Sequence, residues 1–449
     1  QNRVIEFTGT ISGNRIITFP LLTENFYIIK NSTSGAHTVQ LKAVSGSGAT
    51  VTFSTTEKGY KIIYLDGVAT NTGVYDITSD LNIDDLTVNN LIVKESLDVN
   101  GTIKLDGNYP NGSNNVALGN GALDGSLSGT GLNVAIGDSA MTKNTSGAEN
   151  TAVGRLAMGC NTTGSYNVAF GTNTMQKNTE GEENSAFGMQ ALNANTTGDG
   201  NSAVGTAALN ANISGSSNTA VGKRSLKTNT TASNNTAVGF DSLCANTTGG
   251  SNVALGFESL KTNTTASNNT AVGLCSMALN TTGNLNTAVG QTSLKANTEG
   301  SCNTTMGGLA MNANTTGGCN TGVGAYALKS NTTASNNTSV GYQSLCTNTT
   351  GANNTALGTC SLRANTTGEL NTAIGLNSMK SNTTASSNTA VGKDSLCVNQ
   401  TGGFTVAIGQ SALRNNTAAS NTAVGADAMF GNTSGANNTA MGHLAMNCN

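Results

Sequence analysis

The residues of this chain that could do chemistry are few and scattered. Its two histidines, His37 and His443, lie in different regions, and neither has a cluster of cysteines or carboxylates beside it in the sequence, as a general base or a metal site would need. The nine cysteines include no CxxC pair; only Cys302 and Cys319 share a place one repeat apart, so neither a zinc site nor a disulfide framework is expected. Polysaccharide cleavage needs two carboxylates facing one groove. The acids of the long carboxy-terminal region, such as Asp241, Glu258 and Glu369, stand at varying places and never recur as a pair. The glycine-rich strings carry no Walker lysine and open no helix, which removes nucleotide binding. No catalytic residue, cofactor or metal ligand is assigned, and no enzyme activity is expected.

Two recurring features could instead bind something. Lys227, Lys261, Lys295, Lys329, Arg363, Lys380 and Arg414 recur at one place of a repeat and could attract an acidic glycan. The plainer reading is a solvated face that spaces charge along a rod and discourages lateral aggregation. Triplets such as Asn246-Thr247-Thr248 are formally glycan acceptors, although the same asparagines also fit a stacking role. With 21 basic against 24 acidic residues and a net charge of −3, the chain has no basic field for nucleic acid or anionic lipid. Nor does any apolar stretch approach the ~18 residues that would cross a bilayer as a helix, so membrane insertion is not expected.

The elements that position these residues are set by repetition. A length of 449 residues would hold two to four ordinary domains of roughly 100–200 residues, but 56 Gly, no Trp and only 10 % charged residues fit neither a large globular core nor a charge-swollen disordered chain. NTAVGFDSLCANTTGGS, residues 235–251, is followed at once by NVALGFESLKTNTTASN, residues 252–268. Twenty such copies run from Asn115, with steps of seventeen residues except for a first step of eighteen and one of sixteen into Asn421. So rigid a period argues for coils in contact.

The first Asn of each copy is offset zero. Gly fills offset four in every copy, as at Gly119, Gly239, Gly256, Gly273 and Gly442, the place for a corner too tight for a Cβ. Offset three is always apolar (Val238, Leu255), and offset eight is always Leu or Met (Leu243, Leu260, Met277). These two columns are read as core, with small residues at offsets two and seven on the opposite face, so that each copy makes two short strands joined at a Gly corner. Asn recurs at offset zero (Asn235, Asn252, Asn269), failing only at Thr405, and at offset eleven (Asn246, Asn263), failing only at Ser126; stacked amides at equivalent corners can bond along the axis. Seventeen residues are too few for a helical hairpin and too regular for a propeller blade. Stacked as parallel strands ~4.8 Å apart, twenty coils build a rod on the order of 95 Å long. So thin a coil, with uncharged columns on both faces, is expected to associate with further copies of itself, preferably as a parallel homotrimer.

The fold expected is therefore all-β in three parts. Residues 1–78 hold short β-branched and aromatic runs such as RVIEFTGTI and KGYKIIYLDG between Gly, Ser and Asn clusters, the pattern of a small antiparallel β domain. Residues 79–110 place apolar side chains about every second position, from Leu81 to Leu105, as short strands of a shaft or linker would. Residues 111–449 form the parallel β-solenoid. Because the chain begins at Gln1 and stops at Asn449 in mid-repeat, removal of a leader, truncation or cleavage is expected.

The recurring NTAVGxxSLxxNTTG text resembles repeats of phage and virus tail-fibre proteins. NTAVGxxS is also similar to the NSVAIGxxS coil of trimeric autotransporter adhesin heads, which are parallel β-rolls wound as trimers, with coils shorter than seventeen residues. EFTGTISGNRIITFPLLTENFYIIKNSTSGAHTVQL resembles a small β module of marine-phage fibres, and LTVNNLIVKESLDVNGTI resembles fibre-shaft text. These resemblances imply a structural or adhesive fibre on a virion surface that presents a host-attachment tip, docks to a larger assembly and has a host-surface glycan as a further candidate partner. The rival is a microbial cell-surface or extracellular filament or adhesin. A polysaccharide depolymerase stands third.

Overall fold

The structure is a computed structural model, and it describes residues 4–21, 24–44, 47–68, 72–77, 114–125 and 131–447. All of its regular elements are strands. The chain divides into two compact units, residues 1–102 and 103–449. The shaft read over residues 79–110 lies outside the described residues.

Among its described residues the amino-terminal unit has seven strands: β1 (Val4–Thr10), β2 (Arg15–Phe19), β3 (Glu24–Ser34), β4 (Val39–Ala43), β5 (Val51–Phe53), β6 (Gly59–Asp66) and β7 (Val74–Asp76). They form two sheets, β1-β3-β6-β7 and β2-β4-β5. Alternation decides which side chains enter the core: Val39, Leu41 and Ala43 of β4 are buried while Gln40 and Lys42 between them are not. Val39 and Leu41 join Phe19, Ile29, Phe53, Ile63 and Leu65 in one apolar cluster. The expected antiparallel domain is corrected in one respect, because β1 pairs parallel with β3 and β2 parallel with β4. The cause is connectivity: consecutive strands β1 to β4 alternate between the sheets, so the chain reverses in the other sheet before returning and meets its earlier strand in the same direction.

The second unit is the array. Twenty three-residue strands, β8 (Val116–Leu118) to β27 (Thr439–Met441), each occupy offsets one to three of a copy. Successive strands pair in parallel and in register as one linear ladder; in a typical step Thr236, Ala237 and Val238 lie beside Val253, Ala254 and Leu255. This is a parallel β-solenoid with one seventeen-residue repeat per coil. Hydrogen bonding continues around the rest of each coil. The amides of Leu243 and Ala245 donate forward to Ser259 O and Lys261 O at 2.9 and 3.0 Å, and those of Gly239 and Ser251 donate back to Val221 O and Ser233 O at 2.8 and 3.1 Å. The coil thus satisfies its backbone from its two neighbours, so insertions are costly and the period is rigid.

Two expectations about the coil are corrected. Each copy has one strand, not two. Offsets six and eight take positive φ, as at Asp241 (52°) and Leu243 (51°), so the stretch after the Gly corner turns continuously and cannot extend. The large columns also do not share a face. In a strand successive side chains alternate, so Ala237 and Ala254 at offset two point inward and are fully buried, whereas Val238 points outward at 38 % exposure and Leu255 is only half-buried. Val238 and Leu255 are therefore not core residues. Leu243, Leu260 and Met277 are, each fully buried in one apolar cluster with the offset-two alanines. An interior one coil wide holds one large side chain per level, and the residue facing it must be small.

Candidate functional site

The built features of this molecule are the corners of the coil. At offset four, Gly239 has φ 134°, and a Cβ there would stand 2.7 Å from the carbonyl carbon of Gly256 one coil along. Gly119, Gly256 and Gly273 have φ of 130–135° and face the next glycine in the same way, so the column is closed to any other residue. Gly442 keeps the conformation at 121°, with Ala445 Cβ as its neighbour at 3.9 Å.

The two asparagine columns are buried and bonded differently. At offset eleven the side chains form a ladder of amides: Asn246 Nδ2 donates to Asn229 Oδ1 at 2.9 Å, and Asn263 Nδ2 donates to Asn246 Oδ1 at 3.0 Å. At offset zero the ladder alternates between side chain and backbone. The amide N–H of Asn252 donates to Asn235 Oδ1 at 2.9 Å, and that of Asn269 donates to Asn252 Oδ1 at 3.0 Å. In most coils both columns then meet on one backbone oxygen, as where Asn235 Nδ2 and Asn246 Nδ2 donate to Gly249 O at 3.0 and 2.9 Å. That offset-fourteen carbonyl is the group the sequence reading missed. Its trace in the sequence is a place held by Gly or Ala, such as Gly249 and Ala266. The commitment of Asn246 also settles the glycan-acceptor reading: its Nδ2 is buried and makes both of its hydrogen bonds inside the fold, which leaves no atom to carry a sugar.

The residues considered for chemistry are brought together only in part. Asp241 and Glu258 stack at offset six of adjacent coils, but each already has a cation. Asp241, 2 % exposed, holds Arg224 through both carboxylate oxygens, with Nε at 2.6 Å. Lys261 Nζ sits 2.8 Å from Glu258 Oε1. These carboxylate hydrogen bonds raise the Arg224 and Lys261 pKa values, so both bases stay charged. His37 and His443 fall in separate units, and His443 Nδ1 lies 3.2 Å from Ala426 O. Among the described residues no group of three His, Cys, Asp or Glu is placed to hold a metal. Eight described cysteines are free thiols, with Cys302 and Cys319 exposed. Burial pushes the thiols of Cys244, Cys346 and Cys397 above their usual range. In the column of cations Lys329 lies over the ring of Tyr326 at 5.5 Å and Arg414 over Phe430 at 5.8 Å, contacts that hold side chains along the surface. Among the described residues no helix is long and apolar enough to cross a membrane.

No family model, no curated protein and no solved structure matches the chain. Its function therefore has to be read from its own geometry.

Proposed function

We propose that this chain is a structural and adhesive fibre protein, a viral tail fibre or spike, that uses the solenoid as a stiff spacer between its docking end and a host-attachment tip. The observation that carries the reading is the unbroken ladder from β8 to β27, in which backbone amides and buried asparagines tie every coil to the next. Twenty strands give nineteen steps, which at ~4.8 Å per step make a rod of about 90 Å. A ladder cross-linked at every level resists bending, which is what a spacer needs and what an enzyme of this size does not. The stacked carboxylates Asp241 and Glu258, each already held by a cation, support a mechanical role over a depolymerase. The exposed cations at offset nine, Lys295 and Arg363 among them, are the residues that would meet an acidic host-surface glycan.

Labelling with an antibody against the array, imaged by electron microscopy, tests this reading. Label projecting from purified virus particles supports it. Label on cell surfaces or on free filaments moves the protein to the rival reading, a microbial filament or adhesin. Release of reducing ends from bacterial surface polysaccharides by the purified chain would overturn the mechanical role.

A further inference from the structure

The outer face of the β-ladder is an uncharged strip running the length of the array. Offset three contributes one large apolar side chain per coil, from Leu118 to Met441, and offset one contributes Thr, Ser or Val; none of these forty residues is charged or an amide. Many of the offset-three side chains are well exposed: Ile136 36 %, Phe170 40 %, Val204 43 % and Met306 50 %. Phe170 and Phe187 stack on adjacent coils with centroids 5.4 Å apart, so even the bulkiest members keep the spacing of the ladder. The coil itself makes no use of this strip, because it closes on its other side around Leu243 and Ala237. Soluble chains rarely leave an apolar patch of this extent uncovered.

We propose that this strip is the surface through which the chain associates with further copies of itself, side by side, parallel and in register. The reading rests on the array being a rod, as above, and adds which face is joined. Three features select the occupant. A partner must repeat its own side chains every ~4.8 Å over about 90 Å to fill the gaps between rungs, and another copy of this chain does so. The area suffices: two columns about 7 Å apart over about 90 Å give roughly 600–1,000 Å² per copy once side-chain reach is included, against about 800 Å² per partner in a standard stable interface. The charges choose the direction. All Lys and Arg of the array stand at offsets five to ten, while offsets thirteen to sixteen hold acids such as Glu149, Glu183, Glu299 and Glu369 and no base. An antiparallel face-to-face pairing would set that acidic corner against itself. Rotation about the rod axis sets it instead against the corner at offsets five and six, where the bases Arg155, Lys223, Arg224 and Lys393 nearly balance the acids Asp138, Asp241, Glu258, Asp394 and Asp427, so that arrangement carries less repulsion.

The test is the solution mass of the full chain by light scattering, with two triple variants. The wild type is expected at two or more times 45.1 kDa. Val238→Glu, Val272→Glu and Val340→Glu together put charge on the strip without entering the interior, and are expected to lower the mass to one chain with an unchanged far-ultraviolet dichroism spectrum. Thr248→Glu, Thr282→Glu and Thr350→Glu put the same charge at exposed offset thirteen, where Glu180 and Glu299 occur naturally, and should leave the mass unchanged. A wild type of one-chain mass overturns the proposal, whether or not either variant folds. So does a well-folded strip variant of undiminished mass. A rod seen by electron microscopy at one-chain mass would sink this interface and leave the fibre reading standing; absence of a rod would sink the fibre reading itself.

Discussion

Leu243 sits in the interior with a left-handed backbone, φ 51°, and Met277 holds the same place at 49°. Left-handed φ is costly for any L-residue and worst for one branched at Cβ. Leu243→Ile keeps the volume and the hydrophobicity but adds that branch. The added strain is about 1–2 kcal/mol and the altered shape costs under about 1.5 kcal/mol, so the coil should lose roughly 2–3 kcal/mol, a change of about 30–150-fold in its opening equilibrium. Leu243→Met, which reproduces the residue found at Met277, should change opening by less than tenfold. In a stack of repeats such a defect is felt locally, so the assay is native-state hydrogen exchange. The reporting amides are Leu226, bonded to Ser242 O at 3.0 Å, and Leu243, bonded to Ser259 O at 2.9 Å. Val238→Ile, on the extended strand, should leave both nearly unchanged. Equal exchange in the Ile and Met variants would refute the argument that backbone conformation, rather than packing, restricts offset eight.

The other corners give further outcomes. Gly239→Ala must meet the Gly256 carbonyl and adopt φ near 134°, so it should open its coil by at least 2 kcal/mol; protease cleavage within residues 222–256 should rise accordingly, and an unchanged rate would count against the corner. Asn246→Asp replaces a donor by an acceptor facing Asn229 Oδ1 and Gly249 O, which should cost about 3 kcal/mol or more, whereas Thr248→Asp on the surface should cost within about 0.5 kcal/mol in the same exchange assay. Iodoacetamide at pH 8 should label Cys302 and Cys319 well before Cys244, Cys346 and Cys397, because the latter are half-buried and burial raises their thiol pKa values, leaving less thiolate; peptide mass mapping reads the order. Acid should separate the two units. Glu57 is held below its usual carboxylate range by its hydrogen bond to Lys61, and Asp66 by the amides of Gly73 and Val68, so both stabilise the fold above their unfolded pKa values, and that contribution fades as pH falls through the folded ones. Apart from Asp241, which holds Arg224, the array's buried polar groups are neutral amides and hydroxyls, so dichroism melts from pH 7 to pH 3 should show the amino-terminal unit weakening first.

Much of this was legible because a repeat states the same constraint twenty times. Gly at offset four, Asn at zero and eleven, and Leu or Met at eight announce a corner, two ladders and an interior column, and the constant step announces parallel coils in register. What misled was the direction of Val238 and Leu255. An apolar residue every seventeen positions marks a column but not its side, and only the strand limits, offsets one to three, place Ala237 inside and Val238 outside. The second strand was misread for a related reason: positive φ at Asp241 and Leu243 has no dedicated residue type, although the absence of Val and Ile from all twenty offset-eight positions is its trace. The offset-fourteen carbonyl was invisible because a backbone oxygen has no letter. In the amino-terminal unit the strands were plain from alternation, but their parallel pairing depends on which sheet each strand enters, and local pattern does not encode that.

The same logic explains why some places of the repeat drift and others do not. A residue at offset four, eight or eleven touches its own copies above and below, so a change there disturbs three coils at once. Offsets five, six, nine and fifteen border solvent in most copies, and there the sequence wanders through Phe240, Lys223 and Gln291, or Cys244, Lys261 and Lys295. Offset three is the exception that needs a cause. It faces outward, yet in twenty copies it never admits a charge, an amide or a hydroxyl. Solubility alone would have allowed lysine or glutamate there, on a strand face where exposed charge is the ordinary defence against association. A column kept apolar on the outside, in a chain that varies freely wherever it merely meets water, is accounted for by a surface that is covered when the protein is assembled.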